Sequence, residues 1–230
     1  MLKKCIFAVV ILLFLSGTLF ASENGEPLSK DKAQSQNNKP FIYEKGNIIL
    51  APKIGLGNSL PPDVFIDATP QQTMAVSVGA ALEYFVMDNF SVVVELLYER
   101  QPIHYKGKDD AIMYIYNFNY ITIPVGVRYS FYEHFLVGGG LYYGIKYNSE
   151  HSLKIGYNTT SFGSPPNEKN DVGLFVDAGL NLALSKSNNL PLYYNLSLYF
   201  RYKMGFFELM EDRKLSTSTL TFNVAYGVRF

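Results

Sequence analysis

Apolar and polar residues alternate along this chain from about Gly46 to the last residue, Phe230. The alternation is clearest at 218–230, where every second residue is apolar or aromatic. That set is Leu220, Phe222, Val224, Tyr226, Val228 and Phe230. Side chains of a β-strand point alternately to its two faces, so a period of two predicts a strand with one apolar face and one polar or small face.

The same pattern predicts eight strands. They span about 46–57, 74–86, 90–98, 113–129, 135–147, 172–182, 192–204 and 218–230. Short turns at 88–89, 130–134 and 185–189 alternate with long polar loops at 58–72, 101–111, 148–170 and 206–217. A tilted strand needs about 9–11 residues to cross a membrane, whereas strands of soluble proteins average about 5–6.

Strands of this length predict an all-β fold, an eight-stranded antiparallel transmembrane β-barrel with short periplasmic turns and long extracellular loops. In lipid every backbone N–H and C=O must be paired, so the sheet must close on itself. Tyrosine and phenylalanine near the strand ends fit the aromatic belts of a membrane interface. Those residues are Tyr84, Phe90, Tyr129, Phe135, Tyr194 and Phe230 on the turn side, and Tyr98, Tyr147 and Tyr202 on the loop side.

The fourth predicted strand departs from the pattern in its first half. Continued alternation there would turn Asn117 and Asn119 toward lipid, and Tyr116 and Phe118 toward the interior. A β-bulge would restore the apolar face, and so would an extension of the strand above the membrane. The sequence leaves both explanations open.

The start of the chain has the character of an export signal. Two lysines precede an apolar run, and Ala21 precedes a plausible cleavage point, which predicts a signal peptide over 1–21. Residues 22–45 are polar and predict a flexible periplasmic leader, and 46–230 form the barrel domain. Cleavage would remove Cys5, the only cysteine, which excludes disulfides and thiolate metal sites from the mature chain.

A soluble barrel that binds a lipid inside is the alternative fold, because alternation alone does not say which face is the interior. Glycine and alanine on the charged face, the asymmetry of turns and loops, and the terminal phenylalanine favour the membrane barrel. The zero formal net charge argues against a nucleic-acid partner, since no basic excess is available to neutralise phosphates.

Four segments of the chain carry a family resemblance. Asn119 to Tyr129, Val137 to Gly144, Arg201 to Gly205 and Tyr226 to Phe230 resemble the small outer-membrane β-barrel domain proteins, the group of OmpX, OmpA-barrel, opacity-protein and PorT-like barrels. The resemblance implies that Tyr226 and Phe230 form an assembly signal. It also implies outer-membrane lipid, the barrel-assembly machinery and periplasmic chaperones as partners, in a monomer. It transfers no catalytic residue.

Ten charged residues occupy the predicted interior face. They are Lys53, Glu83, Glu95, Glu99, Arg128, Lys146, Asp177, Arg201, Lys203 and Arg229. An eight-stranded barrel is only wide enough for its own side chains, and buried charges must pair. The sequence therefore predicts a packed network of ion pairs. A narrow porin-like pathway for ions or small solutes is the alternative.

Candidate chemistry outside the barrel interior is sparse. His104, His151 and Ser152 lie in predicted outer loops, where a lipid-modifying serine enzyme would need them, but no nucleophile motif surrounds Ser152. Three scattered histidines predict no metal site, and nothing implies a cofactor. We therefore expect a protein without enzyme activity, with a structural or surface-interaction role carried by its outer loops and an extracellular ligand that the sequence does not identify.

Overall fold

A computed structural model describes residues 43–60, 68–108, 111–131, 134–162, 170–186, 193–206 and 218–230, with the backbone alone at 183–186 and 193. Its strands are β1 (Ile48–Ser59), β2 (Ala68–Gln71), β3 (Thr73–Met87), β4 (Phe90–Gly107), β5 (Ile112–Phe131), β6 (Phe135–Ile155), β7 (Asn158–Phe162), β8 (Asp171–Lys186), β9 (Tyr193–Gly205) and β10 (Ser218–Arg229). All described residues belong to one compact unit, 41–230. Within these ranges no helix is long and apolar enough to span a membrane.

Eight of the strands close into a barrel, as the sequence predicts. The ring runs β1, β3, β4, β5, β6, β8, β9 and β10, with every neighbouring pair antiparallel. It closes between the first and last strands, where Ile54 pairs with Val224 and Leu56 with Phe222. Each barrel strand therefore has a partner on both sides, which leaves no open sheet edge within the membrane.

The two faces of the wall agree with the predicted alternation. Leu50, Leu82, Leu96 and Phe200 point outward and are 50–59% exposed, far more than the inward Lys53, which is 3% exposed. Large apolar side chains that cover a whole outer wall suit lipid and would be unfavourable in water. The apolar face is thus the outside of the barrel, as in a membrane barrel and not in a soluble lipid carrier.

Three strands continue well beyond the span that a membrane requires. β4, β5 and β6 have 18, 20 and 21 residues, so the predicted loops 101–111 and 148–170 are wrong over much of their length. β7 pairs with the end of β6, and β2 pairs with the end of β4 inside the predicted loop 58–72. Outside the membrane a strand no longer needs an apolar outer face, which is why its polar residues resemble a loop. The predicted loop tips at 61–67, 163–169 and 207–217 lie outside the described residues.

The irregular half of the fourth predicted strand is an extension above the membrane. β5 keeps one uninterrupted register with β4, so Phe118 and Tyr120 point inward and are buried. A bulge does occur, but on the partner strand, because the β5–β6 register shifts between Asn119 and Tyr120. The inward aromatics join Ile103 and Tyr105 in an apolar cluster at the extracellular end of the barrel.

The N-terminal boundary of the barrel domain differs from the prediction. Tyr43 to Lys45, the last residues of the predicted flexible leader, are ordered, and Tyr43 is completely buried. Its carbonyl oxygen accepts a hydrogen bond of 2.8 Å from the Asn89 N–H, in the predicted tight turn Asp88–Asn89. That turn places Asn89 at a φ of 61°, a left-handed conformation that asparagine tolerates well. Residues 1–42, including the predicted signal peptide, lie outside the described part.

Candidate functional site

The barrel interior contains nearly all of the charged residues that the sequence places there. Lys53, Glu83, Glu95, Glu99, Arg128, Asp177, Arg201, Lys203 and Arg229 are buried and inward-facing. Lys146 differs, because it lies only half-buried beside the bulge at the extracellular end, where its backbone N–H donates to Asn170 Oδ1 at 3.2 Å. A further acid, Asp171, is buried as well.

Glu95 lies at the centre of this charge network and accepts from three cations. Its carboxylate oxygens are 2.9 Å from Lys53 Nζ, 2.8 Å from Arg128 Nη2 and 2.6 Å from Arg201 Nη1. Lys53 comes from β1, Arg128 from β5 and Arg201 from β9, so the contacts reach Glu95 from strands on different sides of the ring. One carboxylate thereby connects opposite walls across the lumen.

Asp177 forms the second junction of the network. Arg201 donates to it through two parallel hydrogen bonds of 2.7 Å each, from Nε to Oδ1 and from Nη2 to Oδ2. Arg128 Nη2 adds a third contact to Asp177 Oδ2 at 3.1 Å. Such bidentate arginine–carboxylate pairs are strong and directional, so they fix both side chains in one orientation.

Two further carboxylates extend the network toward the ends of the barrel. On the periplasmic side Glu83 accepts from Arg128 Nη1 at 3.3 Å and also from the Ser91 hydroxyl. On the extracellular side Glu99 pairs with Lys203 and accepts from Thr122 Oγ1 at 2.7 Å. The ion pairs therefore follow the lumen along much of its length.

Aromatic rings fill the space between the charges. The Arg201 guanidinium lies 4.1 Å from the centre of the Phe175 ring, and Arg128 lies 4.8 Å from that of Tyr199. Lys203 Nζ lies 4.0 Å from the centre of the Tyr142 ring. Cations over aromatic faces are stabilised by the ring quadrupole, most strongly when desolvated. The predicted charge network does not include these aromatic residues, although their inward parity on β6, β8 and β9 indicates that they share the lumen with it.

Glycines on the inner wall provide the room for these large side chains. A Cβ atom at Gly126 would lie 2.7 Å from Phe175 Cζ, and one at Gly138 would lie 2.8 Å from Arg128 Cγ. Any larger residue at either position would collide with the network. The small residues of the inner face thus leave the space that its arginine and aromatic side chains occupy.

The buried charges of the described barrel balance one another. The cations are Lys53, Arg128, Arg201, Lys203 and Arg229, and the carboxylates are Glu83, Glu95, Glu99, Asp171 and Asp177. Burial of an unpaired charge is very costly, whereas a balanced set with close contacts avoids most of that cost. This arrangement can hold opposite walls of the barrel together.

The candidate enzyme residues lie on strands and not in loops. Ser152 Oγ is 3.3 Å from Ser161 Oγ, while His151, its neighbour on β6, points to the opposite face and contacts the Tyr116 ring at 4.7 Å. His104 lies two strands from Ser152, through Ile115 on β5, and burial lowers its pKa. A nucleophile and its base must lie within about 2.6–3.2 Å, so the structure does not assemble these residues for serine catalysis.

The predicted assembly signal lies on the outer face of the closing strand. Tyr226 and Phe230 are 45% and 59% exposed, and the Tyr226 ring stacks on Tyr194 with their centres 5.9 Å apart. The Phe230 N–H donates to the Ile48 carbonyl at 2.9 Å. Both aromatic rings are therefore directed to the periplasmic membrane interface, where a role in assembly stays a prediction.

A family model for the outer membrane protein β-barrel domain matches residues 33–211, in agreement with this architecture. No curated protein matches the chain. Similar solved structures include OprG of Pseudomonas aeruginosa, with 11% identity, a TM-score of 0.47 and coverage of 82% of this chain and 97% of that one. Ail of Yersinia pestis has 13% identity, a TM-score of 0.40 and coverage of 81% and 99%.

The match to the family model covers well over half of the chain, and the barrel has the closed ring and apolar outer wall that a bacterial outer membrane requires. These observations confirm the predicted fold and the predicted location in the outer membrane of a Gram-negative-type cell. The chain belongs to the outer membrane protein β-barrel domain family.

Proposed function

We propose that this protein is a non-conducting outer-membrane barrel with a structural and surface-contact role. The observation that carries the proposal is the charge network at mid-lumen, where Glu95 accepts from Lys53, Arg128 and Arg201 at 2.6–2.9 Å. An eight-stranded barrel has no spare interior width, so these side chains leave no room for a water-filled path. The ion pairs serve to hold the wall together and not to select a solute.

The extracellular ends of the strands support the surface-contact part of the proposal. There β4, β5 and β6 form a paired sheet with its own apolar cluster, and a sheet of this kind is more rigid than an open loop. The β6–β7 hairpin turns at Gly156 with a φ of +59°. Next to this turn Tyr157 is fully exposed, at 105%, and Phe162 is 54% exposed. Exposed aromatic residues on a rigid support are typical of contact surfaces.

Conductance in planar bilayers tests the closed lumen. We expect the refolded mature chain to give no steady current, because the charge network fills the path. A variant with Glu95→Ala and Arg128→Ala removes two members of the network and provides the comparison. Discrete, stable conductance of the unmodified protein that changes in the double variant would contradict the proposal and make a narrow porin the better description.

Cell attachment tests the surface role. We expect cells that carry Tyr157→Ser and Phe162→Ser to attach to an apolar, silanised glass surface about threefold less than cells with the unmodified protein, because the change removes the exposed aromatic area of the hairpin. Thr159→Ser, between the two positions, is the matched control and should leave attachment unchanged. Equal attachment of all three strains, at equal surface levels of the barrel, would contradict a contact role for this hairpin.

A further inference from the structure

Tyr43 lies inside the periplasmic end of the barrel, although it precedes the first strand. Its ring is stacked on Phe85 with the centres 4.8 Å apart and the planes 4° from parallel. Tyr43 is 0% exposed, as is Phe85. An aromatic side chain from outside the wall thus occupies space that barrel residues alone would leave empty.

Polar contacts hold the Tyr43 segment from several sides. The Tyr43 hydroxyl accepts from Asn195 Nδ2 at 3.3 Å, and the Tyr43 N–H donates to Asn89 Oδ1 at 3.2 Å. The Lys45 N–H donates to Asp88 Oδ1 at 2.9 Å, and the Gly46 N–H to the Phe85 carbonyl at 2.8 Å. These partners come from β3, from the turn after it and from β9, so the segment is bound to separate parts of the ring.

The position of Tyr43 separates the charge network from the periplasm. Tyr43 belongs to an apolar cluster with Ile49, Ala51, Phe85, Leu136, Tyr199 and Ala225. Tyr199 in turn donates to Glu95 and accepts from Arg128, within the network. On the other side the Tyr43 ring lies 5.7 Å from the Arg229 guanidinium, near the end of β10. Tyr43 therefore lies between the barrel opening and the buried ion pairs.

We propose that Tyr43 is an intramolecular stopper: the segment ahead of β1 folds back into the periplasmic opening, and its aromatic ring keeps water from the lower lumen. The short connection Glu44 to Asn47 tethers the stopper to β1, which makes its effective concentration at the opening high. Release of Tyr43 would expose the lower lumen to the periplasm while the mid-lumen ion pairs stay in place. The stopper is thus a second closure, on the periplasmic side of the charge network.

Cysteine labelling tests this stopper directly, because the only native cysteine, Cys5, precedes the mature chain predicted here. Ala225→Cys places one thiol on the inner face beside Tyr43, where Ala225 is 4% exposed. The refolded mature protein would be treated with a charged maleimide in detergent, with Tyr157→Cys as a fully exposed reference. We expect slow labelling of Ala225→Cys alone, at least tenfold faster labelling when Tyr43→Ala is added, and a rate within twofold of the parent when Tyr43→Phe is added.

Tyr43→Phe distinguishes the effect of the ring from that of the hydroxyl. Phenylalanine keeps the stack on Phe85 and loses only the hydrogen bond with Asn195. A heat-modifiable gel shift would confirm that each variant is folded. Should Tyr43→Ala not fold, Asn89→Gly removes the acceptor of the Tyr43 N–H without strain and should speed labelling severalfold. Three results would each overturn the proposal. Ala225→Cys could be labelled at the same rate with and without Tyr43→Ala, or at an unchanged rate with Asn89→Gly. Ala225→Cys alone could also be labelled as fast as the exposed reference.

Alkaline pH provides a second readout in the folded protein. Burial, with a smaller contribution from the Glu83 carboxylate, raises the pKa of the Tyr43 phenol above its ordinary value against the opposing charge of Arg229, so the docked ring is neutral. Docking is then fully favourable below the unfolded value of about 10 and weakens as the pH rises above it. We expect the labelling rate of Ala225→Cys, relative to the same protein with Tyr43→Phe, to increase above that pH. A ratio that stays constant would contradict the stopper.

Discussion

Replacement of Arg201 by methionine should lower the free energy of unfolding by about 3–5 kcal/mol, because it leaves buried carboxylates without their strongest partner. Arg201 is 1% exposed and contacts both Glu95 and Asp177 at 2.6–3.0 Å. Methionine has a similar length but no charge or donor, so the change removes the ion pairs with little change in volume. Urea unfolding in lipid vesicles, followed by the heat-modifiable gel shift, measures the loss.

A double variant shows whether the loss of stability in Arg201→Met comes from charge imbalance. With Asp177→Asn added to Arg201→Met, the central cluster keeps Lys53 and Arg128 with Glu95 and Glu83, equal numbers of each sign. The double variant should therefore be more stable than Arg201→Met alone, by about 1–2 kcal/mol, the coupling expected of residues in one network. Arg100→Met, at an exposed position, is the control. Purely additive losses would show that the ion pairs do not act together.

Replacement of Val94 by arginine should destabilise the barrel by about 2–4 kcal/mol in a bilayer, which is the cost of a charge on the lipid face near the midplane. Val94 points outward, is 42% exposed, and lies midway between Phe90 and Tyr98, which mark the two membrane interfaces on β4. Its neighbours across the sheet are Leu82 and Val125. Unfolding in vesicles of a saturated phosphatidylcholine measures the effect.

The control for Val94→Arg is the same side chain outside the membrane. Tyr157→Arg, at a fully exposed position of the β6–β7 hairpin, should change the stability by less than about 0.5 kcal/mol, as surface substitutions usually do. In a soluble barrel the two substitutions would lower the free energy of unfolding by the same small amount. An equal effect of both variants would therefore contradict the placement of the apolar wall in lipid.

Much of the barrel could be predicted from the sequence, because each strand in lipid has a strict chemical alternation. The outward residues, such as Leu50 and Leu82, must be apolar, and the inward ones, such as Lys53 and Arg201, need only fit a narrow interior. An alternation with a period of two residues can be read directly from the amino-acid sequence. It indicates the number of strands, the direction of each side chain and the face on which the charges lie.

Sequence-based prediction fails where strands leave the membrane, because lipid no longer imposes the alternation of apolar and polar residues there. Above the membrane neither face of β4 or β6 has to be apolar, so the sequence pattern predicts loops where these strands continue to Gly107 and Ile155. Tyr43 carries no periodic signal at all, because it precedes the first strand, and its burial depends on Phe85, Asn89 and Asn195 far along the chain. Local patterns do not report contacts of this kind.

The sequence by itself determined the architecture of this protein, its outer-membrane location and most of the charges inside it, since lipid imposes a rule on every second residue. Lys146, which is only half-buried, and the buried Asp171 are the exceptions. Only the tertiary structure decided which charges meet. Arg201 reaches Glu95 across 106 positions of sequence, and that pairing depends on closure of the ring, which brings β4 and β9 to the same lumen. The tertiary structure also decided that a residue of the predicted leader lies inside the barrel, because only three-dimensional packing leaves a space of the right size for the Tyr43 ring.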